Sequence, residues 1–192
     1  MLSLTEVQAV PRKQISQTRA DEPIAELIAL NPAAWQALFD EHFRKLQRFA
    51  YVRTGDTHLA EEIASEVFLA AARGIERYRP TGAPVSAWLF RICRNVTADH
   101  LKRRGRRPSI SLDGIEVAAG NWAPGVEDAT DIARALTRLT RDQQDVIAMR
   151  FFSDCSLLET AQALGKSTGA VKLLQHRALV ALRKHLGVDG RR

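Results

Sequence analysis

Through most of the chain the apolar residues recur at three- and four-residue steps, and no stretch holds the two-residue alternation of a strand for long. Proline and glycine are sparse inside these periodic stretches and gather at Arg79 to Pro84, Gly105 to Pro108 and Gly114 to Gly125. The pattern predicts an all-α protein of two small helical domains joined by a flexible linker. Its parts are an arm over residues 1–22, a first domain over 23–107, a linker over 108–130 and a second domain over 131–192.

In the first domain, Asn31 followed by Pro32 supplies an N-cap and a first-turn proline for a helix carrying Trp35, Leu38, Phe39, Phe43, Leu46 and Phe49. A second helix is expected from about His58 to Ile75. It turns Leu59, Ile63, Val67, Ala70, Ala71 and Ile75 inward and sets Glu61, Glu62, Ser65 and Glu66 on or near the opposite face. A third helix is expected after Pro84 with Ser86 as its cap and Trp88, Leu89, Ile92, Val96 and Leu101 inward. It ends in the basic run Lys102, Arg103, Arg104, Arg106 and Arg107. By its spacing Trp88 reads as a core residue rather than a stacking platform.

Between Pro108 and Thr130 the charge inverts: there is no Lys or Arg, but there are Asp113, Glu116, Glu127 and Asp128. This composition predicts an acidic tether without a packed core of its own. Beyond it, Thr140 with Gln143 and Ser156 with Glu159 form two capping boxes, each at the start of a helical pattern. The helix opened by Ser156 runs to Leu164, Gly165 permits a left-handed turn, and Ser167 caps the next helix, Thr168 to about Lys184. Helix, short glycine-containing turn, helix is the scaffold that lays its second helix in the DNA major groove. Val171 and Leu174 face the core, which leaves Ser167, Thr168, Lys172, Gln175, His176 and Arg177 as candidate contacts to base edges and phosphates.

Composition narrows the function. The chain has 192 residues, 45% of them hydrophobic and 26% charged, the balance of a folded protein, and a net charge of +6 that favours a polyanionic partner but is also common in proteins that bind none. Cys93 and Cys155 stand outside any CxxC or Cys/His spacing, so neither a disulfide framework nor a zinc site is expected. There is no P-loop, HxExxH or GxSxG, and Asp99-His100 is too small a constellation for catalysis. The reading is a non-enzyme with no cofactor, no metal and no catalytic residue. Met1 to Ala20 lacks the apolar stretch of a signal peptide and no run approaches the roughly 20 apolar residues of a membrane span, so a cytoplasmic protein without membrane insertion is expected.

Three runs taken in order resemble the extracytoplasmic-function (ECF, group IV) RNA polymerase sigma factors. AEEIASEVFLAAARG, Ala60 to Gly74, is similar to the family's polymerase-docking helix, and AWLFRICRNVTADHLKRRGRR, Ala87 to Arg107, to its promoter-melting helix. SLLETAQALGKSTGAVKLLQHRALVALR, Ser156 to Arg183, is similar to its helix-turn-helix. The resemblance implies a sigma second domain over 23–107 and a fourth domain over 131–192, with core RNA polymerase and promoter DNA as partners and an anti-sigma factor as a further one. It implies that Glu61, Glu62, Ser65 and Glu66 dock on core polymerase, Ser65 standing where the family usually has Gln. It also implies that Arg79, Arg91, Arg94, Asn95, Lys102, Arg103, Arg104, Arg106 and Arg107 serve the minus-ten element, and that the helix-turn-helix reads the minus-35 element. Leu173 and Leu174 replace a frequent Ser-Arg pair of the family, which moves base reading toward Lys172, Gln175 and His176. The acidic linker is implied to thread the polymerase cleft. By residue type alone the carboxylate face reads rather as an ordinary solvated helix face. The second half alone would equally suit a helix-turn-helix repressor or activator that acts without core polymerase.

Overall fold

The computed structural model describes residues 24–79, 82–104 and 126–187, the first five of the last span by their backbone alone. The N-terminal arm over 1–22, most of the linker, and Arg106 and Arg107 lie outside the described residues. A short helix, α1, covers 24–28. It is followed by α2 (Pro32–Thr54), α3 (Thr57–Gly74) with a 3-10 turn (Ile75–Arg77), and α4 (Val85–Arg104). The second half holds α5 (Val126–Thr137), α6 (Arg141–Ile147) continued by a π-turn (Ala148–Phe152), α7 (Leu157–Leu164) and α8 (Thr168–His185). Helix α5 begins five residues inside the stretch read as linker, because its apolar spacing becomes visible in the sequence only from Ile132 onward.

The helix ends follow from side chains that satisfy backbone groups otherwise left without partners. The Asn31 side-chain Oδ1 accepts the Ala33 N–H at 2.9 Å with Pro32 in the first turn, and Gly55, at φ 67°, closes α2 in the left-handed conformation. Asp56 caps α3 by accepting the Leu59 N–H at 2.9 Å, and that hydrogen bond holds its carboxyl below the usual range. Both capping boxes form as the spacing predicts. The cap expected of Ser86 does not: α4 starts at Val85, Ser86 lies inside its first turn, and its hydroxyl donates instead to Glu159 Oε1 on α7 at 2.6 Å.

One continuous apolar core with two parts results. In the first, Leu46, Phe49, Ile63, Val67, Leu89, Phe90 and Cys93 are buried among α2, α3 and α4, with the Phe49 and Phe90 rings edge to face at 5.9 Å. In the second, Val146, Ile147, Met149, Ala161, Val171, Ala178 and Leu182 pack among α6, α7 and α8. Each large side chain removed from water there contributes roughly 1.5–3 kcal/mol. Both cysteines are free thiols in these interiors, and burial pushes each up to about 12, so neither is a ready thiolate.

The halves are not independent. Asp145 on α6, only 1% exposed, accepts hydrogen bonds from Arg53 Nη1 on α2 and, at 2.8 Å, from Arg94 Nε on α4. Ser153 donates to the Lys45 carbonyl at 2.8 Å, and Ser86 joins Glu159 as described. Burial works to raise Glu159, but the hydrogen bonds from Ser86 and Ser156 outweigh it and hold its carboxyl below the ordinary value. His42, also buried near this seam, is held below 6.5 chiefly by desolvation.

Because Arg53 is buried, Asp145→Ala strands a charge in the interior and is expected to lower the unfolding free energy by about 3–5 kcal/mol in urea titration. A loss under about 1 kcal/mol contradicts a buried contact. The depressed His42 contributes stability above its unfolded value that is lost as pH falls below 6.5, and the depressed Glu159 adds a further loss below 4.5. Melting temperature is therefore expected to decline between pH 7 and 5, and His42→Gln to flatten that decline; a parent curve level over this interval contradicts the assignment.

Candidate nucleic-acid and polymerase interface

On α3, the inward stripe of Ile63, Ala64, Val67 and Ala71 fixes which residues face out. Glu61, Glu62 and Ser65 are exposed, whereas Glu66 is half-buried and hydrogen-bonded to His100 Nε2 of α4 at 2.7 Å. The Ser65 hydroxyl donates to the Glu61 carbonyl at 3.0 Å, so its donor is engaged within the helix. Leu69, 58% exposed, continues the outward stripe one turn beyond Ser65. Sequence reasoning misses it, although its absence from the inward spacing is the available signal. The outward surface is thus two carboxylates beside an apolar side chain.

Helix α4 presents a different chemistry. Arg91, Asn95, Lys102, Arg103 and Arg104 are exposed on it. Arg104 pairs with Asp56 at 3.2 Å, the carboxylate that caps α3, and Arg103 Nε reaches the Asp99 carbonyl at 3.4 Å. Arg79 donates to the Glu76 and Tyr78 carbonyls at 3.0 and 3.1 Å, which braces the loop before α4. Trp88 is only half-buried: its ring lies 4.9 Å from that of Tyr78, so it covers the core and also walls a cavity. That cavity, about 150 Å³, is lined by Tyr78, Ala83, Ala87, Trp88, Arg91 and Gln162. Two aromatic rings and a guanidinium are groups on which a nucleobase can stack. Gln162 reaches the cavity from α7, and Arg94 is held by Asp145 and, at 3.5 Å, by Asp142. The second half therefore closes part of this face.

In the helix-turn-helix, Gly165 at φ 63° lets the chain leave α7, and Lys166 N–H returns to the Ala161 carbonyl at 2.9 Å. Ser167 caps α8 by accepting the Ala170 N–H at 3.2 Å, so its oxygen serves the helix start. Val171, Ala178 and Leu182 fix α8 inward, and Thr168, Lys172, Leu173, His176 and Arg177 face solvent. Gln175 is half-buried and its amide oxygen accepts from Arg150 Nε at 3.2 Å, which leaves its amide NH2 for an outside acceptor. Among the described residues there is no group of three His, Cys, Asp or Glu side chains placed to hold a metal ion, and no helix is long and apolar enough to cross a membrane.

The family models for Sigma-70 region 2 and Sigma-70 region 4 match residues 38–107 and 135–184. The ECF RNA polymerase sigma factor BldN of Streptomyces coelicolor is 33% identical over 187 residues, covering 94% of this chain and 71% of that protein. SigM, an ECF RNA polymerase sigma factor of Mycobacterium tuberculosis, is 33% identical over 173 residues, covering 88% and 87%. In three dimensions the chain is similar to the sigma factor RpoE in its co-crystal structure with the anti-sigma factor NepR from Bartonella quintana. The TM-score is 0.61 and the identity 26%, over 80% of this chain and 96% of that one. Two matched regions in the family's order, on a chain whose α4 and α8 each expose a basic surface, place the chain among the ECF RNA polymerase sigma factors, DNA-binding transcription initiation factors rather than enzymes.

Proposed function

We propose that the exposed face of α3 docks the chain on core RNA polymerase, that α4 with the Tyr78–Trp88 cavity holds the melted minus-ten element, and that the outer face of α8 reads the minus-35 duplex. The protein works as an alternative sigma factor in the cytoplasm, where polymerase and promoters are. The observation that carries this reading is the combination, in one chain, of an exposed Arg91–Asn95–Lys102 track beside an aromatic cavity with a separate helix-turn-helix. A repressor or activator that binds duplex DNA alone has no use for the first surface.

Within the reading the residues divide by chemistry. Glu61, Glu62, Ser65 and Leu69 form the docking patch, with Glu66 held by His100 as its edge. Arg91, Asn95, Lys102, Arg103 and Arg104 follow the single strand, joined by Arg79 in the loop and by Arg106 and Arg107. Arg94 joins them only when a phosphate replaces Asp142 and Asp145, which requires α4 and α6 to part. Lys172, His176, Arg177, Thr168 and the amide NH2 of Gln175 meet the duplex, while Ser167 sets the position of α8. An anti-sigma factor fits as a further partner, since the RpoE neighbour was solved with one.

Glu61→Lys combined with Glu62→Lys is expected to weaken binding to core polymerase at least about tenfold in a direct assay, with helical content unchanged, because like charges then meet the partner's basic surface. Unchanged affinity contradicts the docking patch. On α4, Lys102→Ala with Arg103→Ala should flatten the holoenzyme's salt dependence by up to about 0.7–0.9 log units per log salt for each phosphate no longer neutralised. Asn95→Ala should leave that slope intact and reduce promoter opening, followed by permanganate reactivity of unpaired thymines. Opening equal to the parent's would remove Asn95 from the melting surface.

A further inference from the structure

The outer face of α8 contains two features that the fold itself does not call for. Leu173 is 49% exposed on the outward stripe between Lys172 and His176. Gly169, one turn earlier on the same side, is also exposed. Its backbone is helical rather than left-handed, and a Cβ built on it would come no nearer to the rest of the protein than the Ser167 Oγ at 4.0 Å. Alanine would fit there and would favour the helix, since glycine weakens one. Neither the bare backbone at 169 nor the unpacked leucine at 173 is explained from inside the molecule, and a partner lying close against this side explains both.

The chemistry of the partner follows from the surroundings. From Thr168 to His185 the helix has no carboxylate, and Lys172, Arg177, Arg183 and Lys184 are exposed, so the surface suits a polyanion. Two acceptor oxygens on this side are taken within the protein, Ser167 Oγ by the Ala170 N–H and the Gln175 amide oxygen by Arg150, so the polar groups it offers are mainly donors. Along the DNA major groove the one apolar group that a leucine can recognise is the thymine C5-methyl. We propose that Leu173 is a specificity-determining residue that reads a thymine methyl in the upstream duplex element, and that Gly169 leaves the space for the DNA to approach that turn of α8. This rests on the reading of α8 as the minus-35 helix. It makes part of the recognition steric and apolar, where Lys172 alone would contribute a donor that guanine attracts.

The test uses holoenzyme reconstituted with the full chain and a promoter obtained by selection from a pool randomised across the upstream element. The selected element should contain a thymine–adenine pair at a fixed position. Replacing that thymine by deoxyuridine removes only the methyl group and should weaken binding roughly three- to tenfold, the scale of one buried carbon. Leu173→Ala should bind the thymine promoter more weakly by a similar factor and show no further loss on the uracil promoter. Gly169→Ala should melt at the same or a higher temperature and still bind the promoter less well. The proposal is overturned if no thymine is selected, if no replacement by uracil matters, or if Leu173→Ala keeps the parent's response. It is equally overturned if Leu173→Ala impairs core-polymerase binding alone, which would make the face a protein contact. Should Lys172→Ala and Arg177→Ala also leave promoter affinity unchanged, the reading helix itself is misassigned, an outcome distinct from failure at Leu173 alone.

Discussion

The Asp145 carboxylate, buried between Arg53 and Arg94, is the constraint around which the two halves are arranged. Taking such charges out of water costs several kcal/mol for each ion, and the arrangement survives only because each buried carboxylate oxygen meets a guanidinium. One acidic residue of α6 thereby fixes the positions of α2 and α4 at once. Ser153 on the Lys45 carbonyl and Ser86 on Glu159 add hydrogen bonds at either side of the same seam. In this packing the two surfaces proposed to meet DNA differ in availability: the outer face of α8 is open, and the α4 face is partly covered.

That difference has a physical meaning for initiation. Asp142 and Asp145 stand against Arg94 where, in the proposed function, phosphates would stand, and Gln162 walls the aromatic cavity from the opposite domain. Carboxylate and phosphate compete for the same guanidinium. A partner separates the halves only as far as it binds the separated form more tightly than the closed one. In the proposed function, core polymerase would engage the exposed carboxylates and Leu69 of α3 without first displacing anything, and so begin that exchange before α4 is uncovered.

Local chemistry is legible in the sequence. Asn31–Pro32, the two capping boxes, Gly165 and Ser167 each declare a helix end within four residues, and each forms as the spacing predicts. What cannot be read depends on partners far along the chain. Asp145 looks like any acidic residue in a polar turn of α6, yet its Arg53 partner lies 92 residues away. Ser86 has the composition of a cap, but Val85 already begins the helix and the hydroxyl finds Glu159 at a separation of 73 residues. Gln175 and Glu66 sit on stripes expected to face outward, and Arg150 and His100 draw them partly inward. Trp88 keeps its apolar spacing while also lining a cavity that only the fold creates. The π-turn at Ala148–Phe152 leaves no periodic signature, because one widened turn shifts the apolar register after α6 without ending it.

The most direct measurement is transcription by purified core polymerase on the genomic DNA of the source organism, with and without the full chain, followed by mapping of transcript starts. The account predicts a set of starts that appear only with the chain and share two upstream motifs at a fixed spacing, one facing each domain. An active polymerase that gains no new start, or starts that share one motif or none, would contradict it.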